Sequence, residues 1–162
     1  MNESARPAAE SRCHCTALRK ASRRISQLYD AALAPSGLKT TQRAILAEIA
    51  RSQPTTIGAL AEALVMDAGG LAHTLKPLVR DGLVKLSVDP KDRRNRLIRL
   101  TSTGRSGLKA TDALWEAAQR NFEKGFGLAE SRALREAVQL LASDHFADNF
   151  TSAPPQRARP RR

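Results

Sequence analysis

Cys13 and Cys15 are the only cysteines of the 162-residue chain, and His14 stands between them. Three readings of this pair stand side by side. Cysteines are often inert, partly buried small residues. Two thiols can also ligate a metal. On a helix, however, residues two apart point to nearly opposite sides, so both reach one ion only if the segment is extended. The remaining histidines are His73 and His145, far along the chain, and a structural zinc site is not expected. The third reading is redox chemistry. Cys15 falls in the first turn of a predicted helix, with Arg19 one turn on and Lys20 nearby. A helix N-terminus plus a cation favours the thiolate, the form that peroxides attack.

The second set of chemically suggestive residues is cationic. Lys91, Arg93, Arg94 and Arg96 crowd into six positions, and His73, Lys76 and Arg80 recur on one side of a predicted helix. The formal net charge is +11, and four arginines in the last six residues contribute to it, yet the body stays basic without them. Such a balance favours a polyanion, nucleic acid ahead of an anionic membrane. Aromatic residues are only 4% of the chain, too few for the stacking platforms that single strands and RNA use. There is no Gly-rich phosphate loop and no nucleophile–base set, so an enzyme is not expected, nor is any cofactor. No apolar run approaches a membrane span, and Met1–Arg12 has no apolar stretch of a secretory signal. The two cysteines are no disulfide framework, which makes a reducing cytoplasm the default location.

These groups must be held by a scaffold, and apolar spacing outlines it. Leu18, Ala21, Ile25, Leu28 and Ala32 alternate by three and four, an amphipathic helix from Cys15 to Leu33 that Pro35-Ser36-Gly37 ends. Thr41–Ala50 continues helically, Pro54 breaks the chain, and Ile57, Leu60, Ala61 and Leu64 mark a short third helix. Asp67 is the N-cap of a fourth, with Leu71, Leu75 and Leu78 on one face and Gly82 at its end. Leu83–Val88 and Asn95–Leu100 read as two strands joined by the Asp89-Pro90-Lys91-Asp92 turn. Thr101 caps a long helix through Leu108, Leu114, Ala118 and Phe122, and a last helix runs from about Ala129 to Phe150. The fold class is therefore mainly α with a small β-hairpin, a winged helix-turn-helix. Its N- and C-terminal helices carry apolar stripes that one domain cannot cover, notably Leu18, Ile25 and Leu28 with Leu134, Val138 and Leu141. Dimerisation is expected to cover them. The expected layout is a disordered arm over 1–11, one domain over 12–150 and a basic disordered tail over 151–162. Within that domain, 12–34 and 102–150 are dimerisation helices and 41–101 is the DNA-binding lobe.

Gly82-Leu83-Val84, Asp92-Arg93-Arg94 and Leu100-Thr101-Ser102-Thr103-Gly104 together resemble the wing signature of the MarR family of bacterial regulators, in order and spacing, over roughly residues 15–150. The resemblance implies a homodimeric regulator of transcription, commonly a repressor, that binds a palindromic double-stranded operator. A nonspecific architectural DNA-binding protein is the alternative. On the fourth helix the face opposite the leucines carries Ala68, Gly69, Gly70, Ala72, His73, Lys76, Pro77 and Arg80. The resemblance places base contacts at Gly69, Gly70, Ala72 and His73. The family usually has Ser, Thr or Arg there, and two glycines offer no side-chain hydrogen bonds. That leaves close backbone approach to the DNA, or His73 as the main reader; Pro77 is expected to kink the helix. Arg93 or Arg94 is expected to enter a minor groove, with Asp92 bracing the wing by pairing with an arginine.

The chain also resembles the organic-hydroperoxide-sensing (OhrR) branch. That branch pairs a cysteine of its first helix with a tyrosine fourteen residues later, the separation of Cys15 and Tyr29. Fourteen residues span about 21 Å of helix, so such a pair meets only across a dimer. The branch's second tyrosine would fall at position 19, which is Arg19 here. A peroxide, or a small aromatic acid held between dimer helices and DNA-binding lobe, is the implied effector.

Overall fold

The computed structural model describes residues 12–152. The expected N-terminal arm and the tail beyond Ser152 lie outside the described residues. The chain divides into two units, Met1–Ala118 and Gln119–Arg162.

The first unit contains α1 (His14–Leu33), α2 (Thr40–Ser52), β1 (Thr55–Thr56), α3 (Ile57–Ala63), α4 (Ala68–Arg80), β2 (Val84–Val88), β3 (Arg96–Leu100), α5 (Ser102–Ala110) and the start of α6 (Asp112–Phe126). A 3-10 turn, Ala34–Ser36, ends α1 and closes on Gly37 at φ 74°. Thr40 donates its backbone N–H to Asp30 Oδ1 (2.6 Å), tying α2 to the end of α1. Leu71, Leu75 and Leu78 form the apolar stripe of α4. They pack in one buried cluster with Ile45, Leu46 and Ile49 of α2, Leu60 of α3, Val84 of β2, and Ile98 and Leu100 of β3. Each such side chain contributes about 1.5–3 kcal/mol of burial. This cluster fixes where α4 stands.

The sheet has the order β1-β3-β2, all antiparallel, with Val84 opposite Leu100 and Leu86 opposite Ile98. The sequence predicted two strands. The third, Thr55–Thr56, pairs with Ile98 and Leu97. It is too short to carry a period and exists only because β3 presents a free edge. Successive side chains alternate across a strand, so the Lys85–Arg99 pair lies on the face opposite Val84, Ile98 and Leu100.

The foot of the hairpin is clasped at one point. Gly82 turns at φ 70°, and Leu83 follows. The Thr101 hydroxyl donates to the Gly82 carbonyl (2.6 Å) and accepts the Gly104 N–H (2.9 Å), while Thr101 N–H donates to the Leu83 carbonyl (3.1 Å). Gly104 lies so close to Leu83 that a Cβ there would stand 1.9 Å from the Leu83 carbonyl oxygen. The Gly-Leu-Val and Leu-Thr-x-x-Gly segments are thus two halves of one contact.

Two long predicted helices are each divided. The 102–122 helix breaks at Thr111, whose hydroxyl donates to the Leu108 carbonyl (2.5 Å) and accepts Arg43 Nε (2.9 Å). Arg43 also reaches Asp112 (3.3 Å) and lies over the Trp115 ring, 4.4 Å from its centre. The second unit comprises the rest of α6, α7 (Leu128–Leu141) and α8 (Asp144–Ser152). Here the predicted 129–150 helix is interrupted at Ser143, whose hydroxyl donates to the Leu140 carbonyl (2.7 Å) and accepts the Phe146 N–H. Thr151 and Ser152, expected in the tail, close α8. Among the described residues this unit buries no large apolar side chain, and Leu128, Leu134, Val138, Leu140, Leu141 and Phe150 are exposed.

Candidate nucleic-acid interface

The reading helix is launched by Asp67. Its backbone is extended (φ −71°, ψ 146°), and its carboxylate accepts the Gly70 N–H (2.8 Å), satisfying one donor of the first turn. The two glycines gain a local explanation from this cap. A Cβ at Gly70 would meet Asp67 Oδ2 at 2.7 Å, and one at Gly69 would meet Oδ1 at 3.2 Å. The glycines leave room for the cap to fold over the helix start. α4 then runs unbroken through Pro77, which lacks an N–H and leaves the His73 carbonyl without its helical donor.

Gly69, His73, Lys76 and Arg80 are exposed along α4, while Gly70 and Ala72 are half-buried. The predicted face is divided. Ala72, Lys76 and Arg80 border a largely apolar hollow of ≈440 Å³ whose floor includes Leu75 and whose far wall includes Leu86 of β2. His73 stands outside it. Arg80 differs from expectation in being engaged: its guanidinium holds Asp81 through two bonds (2.8 and 3.3 Å), which keeps the Asp81 carboxyl below its usual range. Sequence reasoning missed Val65, in the turn between α3 and α4. It adopts φ 51°, a left-handed conformation costly for a β-branched residue, and is 72% exposed. No sequence signal marks it, since glycine or asparagine is the residue a turn of this hand favours.

The wing tip is organised by two carboxylates. Asp89 accepts the Lys91 N–H (2.8 Å); Asp92 accepts the Arg94 N–H (3.0 Å) and the Asn95 side-chain amide (3.2 Å). Asp92 therefore braces the tip as expected, but through the backbone and Asn95 and not by pairing with an arginine. Both acids are spent on the loop. Arg93, Arg94 and Arg96 are exposed and make no ion pair among the described residues. With Asp89 and Asp92 bonded to backbone and amide donors, the tip's arginines are left without a carboxylate partner among the described residues.

The cysteines sit at the start of α1. The helix begins at His14, one residue before the expected start, so Cys13 is its N-cap and Cys15 lies in its first turn. Both thiols are exposed. The Thr16 hydroxyl and the first-turn backbone N–H groups hold the Cys13 thiol below its ordinary range. The helix start thus engages Cys13, where the sequence pointed to Cys15. Tyr29 is half-buried on the same helix, about 21 Å from Cys15 along its axis, so one chain does not bring them together.

A helix-turn-helix with an exposed second helix beside an arginine-tipped hairpin defines a winged helix-turn-helix protein. The MarR-family sequence pattern matches residues 36–95. The transcriptional regulator MosR of M. tuberculosis, solved in complex with DNA, is 32% identical; the match covers 87% of this chain and 99% of that one, with a TM-score of 0.76. A probable transcriptional regulator from Pseudomonas aeruginosa is 28% identical over 80% of this chain and 97% of its own, at TM-score 0.73. The repressor CouR, bound to a 23-mer duplex, shares the fold at TM-score 0.78 and 22% identity, over 86% of this chain and 100% of that one. No curated protein matches the sequence. The chain belongs to the MarR family. Among the described residues no helix is long and apolar enough to cross a membrane.

Proposed function

We propose that this chain is a sequence-specific double-stranded-DNA-binding transcriptional regulator, a repressor that acts as a two-fold homodimer. The observation that carries the reading is the pairing of an exposed α4 face, with His73 and Lys76, and a wing tip whose arginines are free of carboxylates. An α-helix fits the major groove and reads base edges there; arginine suits a narrow minor groove. Dimerisation is supported by the apolar stripes on α1 (Leu18, Leu28) and on α7 (Leu134, Val138, Leu141), exposed in the single chain. A two-fold dimer reads half-sites about one helical turn apart. The test is a fluorescence-anisotropy titration with the palindrome selected from a random duplex pool, alongside sedimentation. We expect a dimer at micromolar concentration that prefers the palindrome to random duplex by about 10³-fold or more. Equal affinity for both would make the chain an architectural DNA protein. A monomer with full affinity would remove the dimer.

Release by oxidation is the regulatory part of the proposal, and the start of α1 supports Cys13 as the attacking thiol. Its thiolate attacks one oxygen of an organic hydroperoxide. An S–O bond forms, the O–O bond breaks and the alcohol leaves. The sulfenic acid then condenses with a second thiol, Cys15 of the same chain or a cysteine of the partner, giving a disulfide and water. Near the crossing of two first helices, beside the partner's tyrosine at position 29, this changes the spacing of the reading helices. A lowered thiol pKa means more thiolate at neutral pH. Cys13 should therefore be alkylated faster at pH 7 in the folded chain than in the urea-unfolded chain, and its rate should reach half-maximum at lower pH when folded, as read by mass spectrometry. Cys13→Ser should bind DNA normally and ignore hydroperoxide. Wild-type DNA affinity unchanged by full oxidation of Cys13 would eliminate the switch and leave a small aromatic acid as the effector.

A further inference from the structure

On the sheet face turned away from α4 there is a hollow of ≈490 Å³ at the foot of the wing, lined by Gln53, Lys85, Arg99, Ser102 and Arg105 among others. Its walls come from three elements. Lys85 and Arg99 are cross-strand partners on β2 and β3, Gln53 follows α2, and Ser102 and Arg105 belong to the first turn of α5. No carboxylate lines it, and none of its three cations makes an ion pair among the described residues.

The polar groups around it are donors. Gln53 is fixed by its Oε1, which accepts the Leu100 N–H (3.0 Å). Its amide NH₂ makes no hydrogen bond among the described residues and stays available. Arg105 spends one N–H on the Leu100 carbonyl (3.2 Å), and its other donors make no hydrogen bond among the described residues. The Ser102 hydroxyl makes no hydrogen bond among the described residues, and the α5 N-terminus brings the positive end of a helix dipole to the same place. Three like charges on adjoining elements repel one another, and an oxyanion bridging them relieves that repulsion while accepting several charge-assisted hydrogen bonds. The volume is that of a small-molecule site. The DNA-reading residues, by contrast, lie on α4 and at the wing tip.

We propose that the Lys85–Arg99–Arg105 hollow is a binding site for a small molecule carrying two or more oxyanion groups, phosphate or carboxylate. The hollow opens on the sheet face away from α4, and its test needs no operator. The intact chain is titrated calorimetrically with pyrophosphate and with citrate at constant ionic strength, with glycerol as the neutral comparison. Arg99→Gln, Arg105→Gln and Arg132→Gln, an α7 residue that does not line the hollow, are titrated alongside, each checked for folding by circular dichroism. The expected result is saturable binding of one anion per chain. It should be about tenfold weaker in Arg99→Gln and in Arg105→Gln, unchanged in Arg132→Gln and absent with glycerol. The proposal is overturned if neither anion saturates, or if Arg132→Gln weakens binding as much as the other two. It is also overturned if, in a parallel titration with a random-sequence DNA duplex, Arg99→Gln and Arg105→Gln weaken duplex binding while leaving anion binding unchanged, which would make the cluster a contact to the DNA backbone.

Discussion

Gly104→Ala should cost the protein about 3–5 kcal/mol, from overpacking plus lost hydrogen bonds. The added Cβ would lie 1.9 Å from the Leu83 carbonyl oxygen, and both are backbone-anchored, so no side chain can swing aside. Relief requires α5 to lift from the hairpin. That breaks the Thr101 bonds to Gly82, Leu83 and Gly104, each contributing about 1 kcal/mol. Against a total stability of about 5–15 kcal/mol, this approaches global unfolding. Gly107→Ala is the matched comparison. Its Cβ would sit in ordinary contact with the Leu83 side chain at 3.6 Å, and replacing a helical glycine by alanine gains up to about 1 kcal/mol. Urea denaturation of the two variants should shift the midpoint in opposite directions. An unchanged Gly104→Ala midpoint would mean the clasp yields without cost.

The largest functional loss is expected from Arg93→Ala combined with Arg94→Ala. Each is expected to weaken operator binding by about 1–3 kcal/mol, so the pair should lose about 2–5 kcal/mol, roughly thirtyfold to several thousandfold. Stability should hardly move, because both side chains are exposed and make no ion pair among the described residues. The salt dependence of the remaining binding should flatten, since fewer counterions are released. Asp92→Ala separates charge from shape. It makes the tip more cationic but removes the bonds to Arg94 N–H and Asn95. If shape matters, affinity falls despite the added positive charge. A double arginine variant that titrates like wild type would take the wing out of recognition.

What was legible in the sequence had local causes. Asp67 capping α4, Gly82 ending it and the leucine spacing between them are written within one stretch, and the structure places each where expected. The wing signature was legible as a pattern, while its reason, a glycine pressed against a backbone carbonyl, was not. The elements that escaped depend on distant partners. β1 exists only through pairing with β3. The break at Thr111 is shared with Arg43, 68 residues earlier, and nothing near Thr111 announces it. The interruption at Ser143 had a readable cue, a serine beside Asp144 that caps the following turn. The cysteines show how a single residue of helix boundary changes chemistry. With the start at His14 the cap passes to Cys13, and boundaries are what sequence patterns fix least well.

The Arg43–Trp115 contact has a spectroscopic use. Trp115 is the only indole in the chain. It is half-buried, one turn into α6, with the guanidinium of an α2 residue over its face at 4.4 Å and that arginine's side chain only 15% exposed. Light absorbed at the red edge of the aromatic band therefore excites one place in the molecule, the seam where the helix preceding the reading motif meets the start of α6. Loosening that seam strips the cation from the ring and admits water to it, which shifts the emission to longer wavelength. The protein carries its own optical gauge of how firmly α2 is seated, readable during DNA binding, oxidation or anion titration without any attached dye.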